Sequence, residues 1–245
     1  MFPIQIALPT RYPAFVTYAL IAVNCLVFFF QISLPPGAQA AFVSQFGLIP
    51  ARYLGTLPYA GTSEGLIDYL PFVSNMFLHG GWLHLILNMW TLWLFGPAIE
   101  DRLGPGRYLV FYLVCGLLAS FTHAALNLTS TIPAIGASGA ISGVLGSFML
   151  MFPLARLVIM IPILFFPLFF EVPALFFAGF WFLTQLMAGT VELLAPSGGG
   201  GIAWWAHIGG FVAGVALTPV LHRSQRRYRT YYADEGILGF NPAGR

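Results

Sequence analysis

The sequence predicts an all-α fold, a polytopic membrane bundle of six transmembrane helices, on three observations. Of its 245 residues, 58% are apolar and only 7% are charged, whereas a soluble domain carries about 25% charged residues. The mean hydropathy is +0.83. The apolar residues also gather in runs close to the ~20 residues that cross a bilayer as a helix. This composition excludes a soluble globular protein, a disordered chain and a nucleic-acid-binding protein.

Six apolar runs have a suitable length, and they lie at roughly 13–33, 82–99, 107–127, 136–152, 172–191 and 202–221. The first run is too long for a signal peptide and is followed by no small-residue cleavage site, so we expect an uncleaved first span. The long segment 34–81 is predicted as an outer loop between the first two spans. The stretch from Leu157 to Phe170 is apolar but contains Pro162 and Pro167, and we expect a membrane-associated connection there.

The arginines predict the orientation of the bundle. With six spans, both termini lie on one side of the membrane, and only Arg52 lies on the other. Because cytoplasmic loops are enriched in positive charge, we expect both termini in the cytoplasm and the 34–81 loop outside. The whole chain, 1–245, is predicted as one domain with an Arg-rich cytoplasmic tail at 223–245. The arginines on the cytoplasmic side are Arg11, Arg102, Arg107, Arg156, Arg223, Arg226, Arg227, Arg229 and Arg245.

Polar side chains near the outer ends of three spans are the candidates for chemistry. The second span begins with His84 and Asn88, the fourth with Ser138, and the sixth with His207. At about 1.5 Å per residue, these groups lie at a similar depth, in the outer part of the membrane. A hydroxyl, two imidazoles and a carboxamide are the groups used in nucleophilic acyl transfer.

Ser138 stands at the start of its helix, between Gly136 and Gly139. Glycines allow a second backbone or a substrate to come close, and a helix start offers free backbone N–H groups to an oxyanion. A different interpretation is a small-residue packing stripe that includes Gly139 and Gly143. The fourth span taken alone favours the packing stripe.

His207 favours the catalytic interpretation. Gly210 and Gly214 follow it at i+3 and i+7, so all three residues share one helical face. Small faces on the fourth and sixth spans are expected to pack closely and to bring Ser138 beside His207. The alternative is an interfacial histidine in an aromatic belt with Trp204.

His84 and Asn88 are four residues apart and share a helical face. Both can donate hydrogen bonds to a developing oxyanion. The alternatives are polar contacts between helices or a metal site that includes His79. No carboxylate or cysteine accompanies His79 and His84 at metal-ligand spacing, so we expect no metal. The middle of each predicted span also lacks Asp and Glu, which disfavours a carboxylate-driven transporter and aspartyl protease chemistry.

Several short motifs occur together in a specific order. They are 77–84 with Asn88, 94–96, Glu100-Asp101 before Gly104, 136–139, 181–183 with Gln185, and Ala206-His207 with Gly210 and Gly214. This set resembles the rhomboid family of intramembrane serine proteases, in its six-span bacterial form. The match runs through most of the chain.

The resemblance implies a dyad in which Ser138 is the nucleophile and His207 is the general base and then the acid. It implies that His84, Asn88 and the Ser138 backbone N–H hold the oxyanion. The expected partners are transmembrane protein substrates, cut near the outer face and often after a small residue, together with membrane lipids. No cofactor and no metal are implied. The expected location is a bacterial inner (plasma) membrane, and the rival function is a catalytically silent client-binding protein.

Two positions depart from some bacterial relatives. Ser142 stands where those relatives carry an aromatic residue that packs on the catalytic histidine. The segment 34–81 also lacks the Trp-Arg pair of their first outer loop. We therefore expect a different neighbour, such as Trp204, to orient His207.

Overall fold

The computed structural model describes residues 2–53, 66–163, 166–194 and 202–222. The predicted tail at 223–245 and part of the outer loop, 54–65, lie outside these ranges. Short 3₁₀ turns occur at Pro50–Arg52, Leu66–Tyr69 and Asn75–Phe77. The helices and strands are β1 Phe2–Ile6, α1 Phe15–Ser33, α2 Pro36–Phe46, α3 Pro71–Ser74, α4 Trp82–Leu103, α5 Pro105–Leu126, α6 Ser138–Met151, β2 Arg156–Ile163, β3 Phe166–Pro173, α7 Ala174–Leu194 and α8 Trp204–Leu221.

Five helices in the described ranges are long and apolar enough to cross a membrane, namely α1, α4, α5, α7 and α8. The predicted helical membrane fold is therefore confirmed. The fourth predicted span forms the shorter helix α6, whose 14 residues extend about 21 Å at 1.5 Å per residue. Ten of the 14 are buried. Because α6 is surrounded by protein, the thickness of the lipid does not set its length.

The end of α4 holds the start of α1. Glu100 is only 3% exposed, and its carboxylate accepts hydrogen bonds from Val16 N at 2.9 Å, Thr17 N at 2.8 Å and Thr17 Oγ1 at 2.7 Å. Asp101 Oδ1 accepts from the backbone N–H groups of Arg11 and Tyr12. A carboxylate is favourable at a helix N-terminus, where free N–H groups and the helix dipole meet it. These contacts fix α1 against the bundle.

Strands β2 and β3 connect α6 to α7, and β1 from the start of the chain completes an antiparallel sheet of order β1-β2-β3. These strands are not predicted from the sequence. The expected connection from Leu157 to Phe170 forms most of the β2–β3 hairpin, in which Arg156 pairs with Pro173 and Ile163 with Phe166. Valine, isoleucine and phenylalanine are common here, and these residues favour extended backbone. Hydropathy alone does not separate such a hairpin from an apolar connection.

The described part of the 34–81 segment contacts the segment that leads into α6. Leu48 N donates to Ala134 O at 3.0 Å, and Ala134 N donates to Leu48 O at 2.8 Å. Arg52 Nη1 donates to Ser44 O at 2.7 Å. The Leu48–Ala134 pair ties the loop after α2 to a strand-like segment four residues before Ser138, and the Arg52 contact holds that loop against the end of α2.

Candidate active site

Ser138 is the first residue of α6. Ala137 stands at the N-cap position, and an alanine side chain cannot accept a hydrogen bond from the first turn. The leading N–H groups of a helix lack intrahelical partners, so they are free to face a bound anion. The sequence thus places a hydroxyl and backbone donors at the same helix end.

His207 lies in the first turn of α8 and is 9% exposed. Its Nε2 is 2.8 Å from Ser138 Oγ. The two residues are 69 positions apart in sequence, and the structure brings them into hydrogen-bond contact. A serine hydroxyl within this distance of an imidazole is the arrangement that activates a nucleophile.

Glycines allow this approach. A Cβ added to Gly210 would overlap the carbonyl oxygen of Gly139, and one added to Gly214 would overlap that of Gly143. The backbones of α6 and α8 therefore touch at two successive turns. Four of the predicted packing glycines lie at this contact, and it sets the separation of Ser138 and His207.

Gly136, which is predicted to allow close helix packing, lies between His84 and Ser138. It precedes α6 and has a φ of +128°, a conformation that side-chain-bearing residues rarely adopt. A Cβ there would lie 2.7 Å from His84 Nε2 and 3.7 Å from Ser138 Oγ. The missing side chain therefore leaves space between these two polar groups.

His84 and Asn88 lie on the inner face of α4. His84 Nδ1 accepts a hydrogen bond from Gly80 N at 3.3 Å, so in the neutral ring Nε2 carries the proton. That N–H group lies against Gly136, beside Ser138. Asn88 is one turn further along, and its Nδ2 donates to His84 O at 3.0 Å.

Gln185, which belongs to the motif around 181–185, is a site residue whose role the sequence does not predict. Its Oε1 is 2.7 Å from His207 Nδ1. On the same helix, the Trp181 ring lies 5.7 Å from the His207 ring at an interplanar angle of 35°. Trp204, the expected neighbour, meets His207 edge-on at 6.3 Å. The i, i+4 spacing of Trp181 and Gln185 was the sequence signal for this contact.

Comparison with known proteins gives the family. The family described as "Rhomboid domain" matches residues 68–224, which is more than half of the chain and includes Ser138 and His207. The chain belongs to the rhomboid family. It is an integral, multi-pass membrane protein.

Three curated relatives illustrate the range of the rhomboid family. The chain is 28% identical to Rhomboid protein 1, mitochondrial, of Saccharomyces cerevisiae over 213 residues, or 83% of this chain and 52% of the relative. It is 30% identical to the Presenilin-associated rhomboid-like protein, mitochondrial, of Mus musculus over 57% of this chain and 34% of the relative. It is 39% identical to the Rhomboid protease GluP of Bacillus subtilis over 33% of this chain and 15% of the relative. The chain spans about half or less of the length of these relatives.

A third histidine of the rhomboid chain, His79, lies beside the site. It precedes α4, is fully buried, and its ring centroid lies 5.1 Å from that of His84. Burial, together with the smaller effect of nearby His84, lowers the pKa of His79 to about 4. Among residues 2–53, 66–163, 166–194 and 202–222, no three or more His, Cys, Asp or Glu side chains form a group that could hold a metal ion.

A cavity of about 20 Å³ adjoins Ser138, which is room for roughly one water molecule. Its apolar wall comes from α5, α6 and the turn before α4, and includes Met76, Gly116, Ala119 and Ala140. A Cβ on Gly116 would overlap Met76 Sδ. The cavity is therefore bounded by close packing and admits only a small group.

Proposed function

We propose that this rhomboid protein is an intramembrane serine endopeptidase. It hydrolyses peptide bonds in or near transmembrane segments of other membrane proteins. The observation that carries the proposal is the 2.8 Å contact of Ser138 Oγ with His207 Nε2, made by two helices whose backbones touch. Ser138 is the nucleophile, and His207 is the general base and then the general acid.

The reaction has two steps. Ser138 Oγ attacks the carbonyl carbon of the scissile bond while its proton moves to His207 Nε2. When the tetrahedral intermediate collapses, the C–N bond breaks, His207 gives this proton to the leaving amine, and an acyl ester remains on Ser138. A water molecule then attacks the ester and gives a proton to His207, which returns it to Ser138 Oγ as the acid product leaves.

The oxyanion of each intermediate is held by the donors around Gly136. These are the backbone N–H of Ser138 and the Nε2–H of His84, with Asn88 as the further donor. Donors fixed before the reaction are effective because they need no reorganisation when the charge develops; each is worth about 3 kcal/mol in measured cases. The open space at Gly136 is where the oxyanion fits.

The substrate is the transmembrane segment of a membrane protein. A helix must unwind before Ser138 can reach its backbone, and in lipid each unsatisfied peptide group costs several kcal/mol. Segments with Gly, Pro or polar residues near the cleavage site are therefore preferred. The small apolar cavity beside Ser138 supports cleavage after a small residue.

The distribution of arginines supports a site near the outer face of the membrane and termini in the cytoplasm. With this orientation, α4, α6 and α8 each begin on the outer side. The proposed location is a bacterial inner (plasma) membrane, with lipids around the exposed helix faces. The reaction as written needs no cofactor and no metal.

The test is cleavage of a single-span reporter protein in proteoliposomes. Ser138→Ala and His207→Ala are expected to abolish cleavage. Ser142→Ala is the matched control, because Ser142 lies one turn later on α6 and its Oγ donates to the Ser138 carbonyl at 2.6 Å; it is expected to retain activity. Full cleavage by Ser138→Ala would refute the assignment.

The rival function, a client-binding protein without catalysis, gives a different result. Wild-type protein would then bind the reporter and leave it intact, and Ser138 would not react with a fluorophosphonate probe. Labelling of the wild type but not of Ser138→Ala favours the protease.

A further inference from the structure

His207 is held through both ring nitrogens. Nε2 faces Ser138 Oγ on α6, and Nδ1 faces Gln185 Oε1 on α7, at 2.7 Å. Gln185 is 6% exposed, so water competes little for this hydrogen bond. The imidazole is thus bound on both edges by two different helices.

The amide of Gln185 is oriented by its own helix. Its Nε2 lies 3.1 Å from Thr184 Oγ1 and 3.4 Å from Trp181 O. Thr184 Oγ1 gives its only hydrogen to Trp181 O at 2.6 Å, so towards Gln185 this hydroxyl can act only as an acceptor. Reversing the amide would place its oxygen against two acceptors. Oε1 therefore faces His207.

An acceptor at this position selects the protonation site on the ring. Neutral imidazole has one N–H group, and Gln185 Oε1 requires it on Nδ1. The lone pair of Nε2 then points at Ser138. We propose that Gln185 is the positioning residue of the dyad and holds His207 in the tautomer that accepts the proton of Ser138. The inference rests on the proposed function, in which His207 is the base.

The same contact remains useful after proton transfer. The imidazolium has N–H groups on both nitrogens, and the one on Nδ1 stays bonded to Gln185. Hydrogen bonds to a charged group are roughly twice as strong as neutral ones, so the contact stabilises the transferred state more than the resting state. A neutral amide does this without placing a second charge within a membrane helix, where an ionised carboxylate is unfavourable.

Two substitutions at Gln185 separate positioning from packing. Gln185→Met keeps the size of the side chain but removes the acceptor, whereas Gln185→Glu keeps an acceptor. With the full chain in proteoliposomes, we expect Gln185→Met to lower kcat by about 10–100-fold with KM nearly unchanged, less than the ~10⁴-fold known for a charged orienting group. Gln185→Glu is expected to retain more activity than Gln185→Met. The reverse order would overturn the proposal.

A matched control is Gln31→Met on α1. Gln31 is also buried, at 2% exposure, and its Nε2 donates to His79 O at 2.7 Å. The same substitution there removes a buried amide far along the chain from His207. It is expected to lower stability while its effect on kcat stays below that of Gln185→Met; an equal loss of kcat would indicate a general packing effect and overturn the proposal.

The tautomer itself is measured by ¹⁵N NMR of histidine-labelled protein, with His207 assigned from the spectrum of His207→Phe. We expect a proton on Nδ1 in the wild type and a mixture of tautomers in Gln185→Met. A proton on Nε2 in the resting wild type would refute the role of Gln185. This measurement does not depend on proteolysis, so it decides the inference even where Ser138→Ala shows that the proposed function is wrong.

Discussion

At the candidate active site, helix α8 packs against α6 and against α7 in opposite ways. Against α6, glycines bring the backbones into contact, as at Gly210 and Gly139. Against α7, large side chains meet, and the rings of Phe182 and Phe211 stack at 4.6 Å. Most residues of α6 are buried, whereas only four of the 21 residues of α7 are buried.

The two contacts have different consequences for His207. The contact with α6 sets the distance from His207 to Ser138. Because the two backbones touch, side-chain movements cannot change this distance much. The contact with α7 supplies Gln185, which reaches His207 through a flexible side chain on a largely exposed helix. Substitutions at the first contact should therefore disturb both folding and catalysis, while those at the second should act mainly on catalysis.

The largest effect is expected at the contact of α6 with α8. Gly210→Val places atoms where the Gly139 carbonyl lies, so the helices must separate. We expect more than a 100-fold loss of reporter cleavage, together with a lower free energy of unfolding, since overpacking commonly costs about 1–3 kcal/mol or more.

Gly179→Ala on α7 is the control for this comparison. No described heavy atom lies within 4 Å of a Cβ added there, and alanine favours a helix over glycine by about 1 kcal/mol. Unchanged cleavage and equal or higher stability are expected. A loss as large as that of Gly210→Val would contradict the contrast between the two contacts.

Gly136→Ala tests the space between His84 and Ser138, just before α6 begins. The φ of +128° disfavours alanine, and the new Cβ would press on the His84 ring. We expect cleavage to fall by about 100-fold, the size of losing one oxyanion donor, with a strain of roughly 1–3 kcal/mol. Gly37→Ala is the control, because its Cβ meets no described atom within 4 Å. Normal cleavage by Gly136→Ala would remove His84 from the proposed site.

The buried His79 predicts a pH dependence of stability. Its pKa is lowered to about 4 in the folded protein, against about 6.5 when unfolded. Below pH 6.5 the unfolded chain binds a proton that the folded protein does not, so stability is full above pH 6.5 and falls between pH 6.5 and 4, by about 3 kcal/mol. Denaturant titrations across this range measure it, and His79→Phe should flatten the curve. An equally steep curve in that variant would assign the effect to another group.

A smaller effect is expected where α4 holds α1. Glu100→Gln keeps the shape but removes the charge from three hydrogen bonds, and we expect a loss of about 2 kcal/mol in the free energy of unfolding. Cleavage by the folded fraction should persist, since the carboxylate lies at the end of α4 away from His84.

The ion pair on the sheet gives the smallest effect. Glu171 Oε2 contacts Arg156 Nη1 at 2.8 Å, with exposed fractions of 53% and 66%. Exposed pairs contribute about 0–1 kcal/mol, so Glu171→Gln should leave the unfolding free energy nearly unchanged. A loss equal to that of Glu100→Gln would show that burial does not determine how much each carboxylate contributes to the free energy of unfolding.

The sequence by itself determined the helical membrane fold, the places of Ser138 and His207 near the starts of two helices, and the glycine faces beside them. Hydropathy and helical periodicity are local properties, and both are readable along the chain. They also identified Gly139, Gly143, Gly210 and Gly214 as small positions, because glycine at a helical spacing is visible without a partner.

Only the tertiary structure decided which groups meet across helices. The packing of α7 against α8 places Gln185 in hydrogen-bond contact with His207, and hydropathy does not specify this packing. Burial by neighbours allows α6 to be short, and strand pairing turns the apolar connection before α7 into a hairpin. Contacts of this kind depend on crossing angles and register between distant segments, which no local pattern contains.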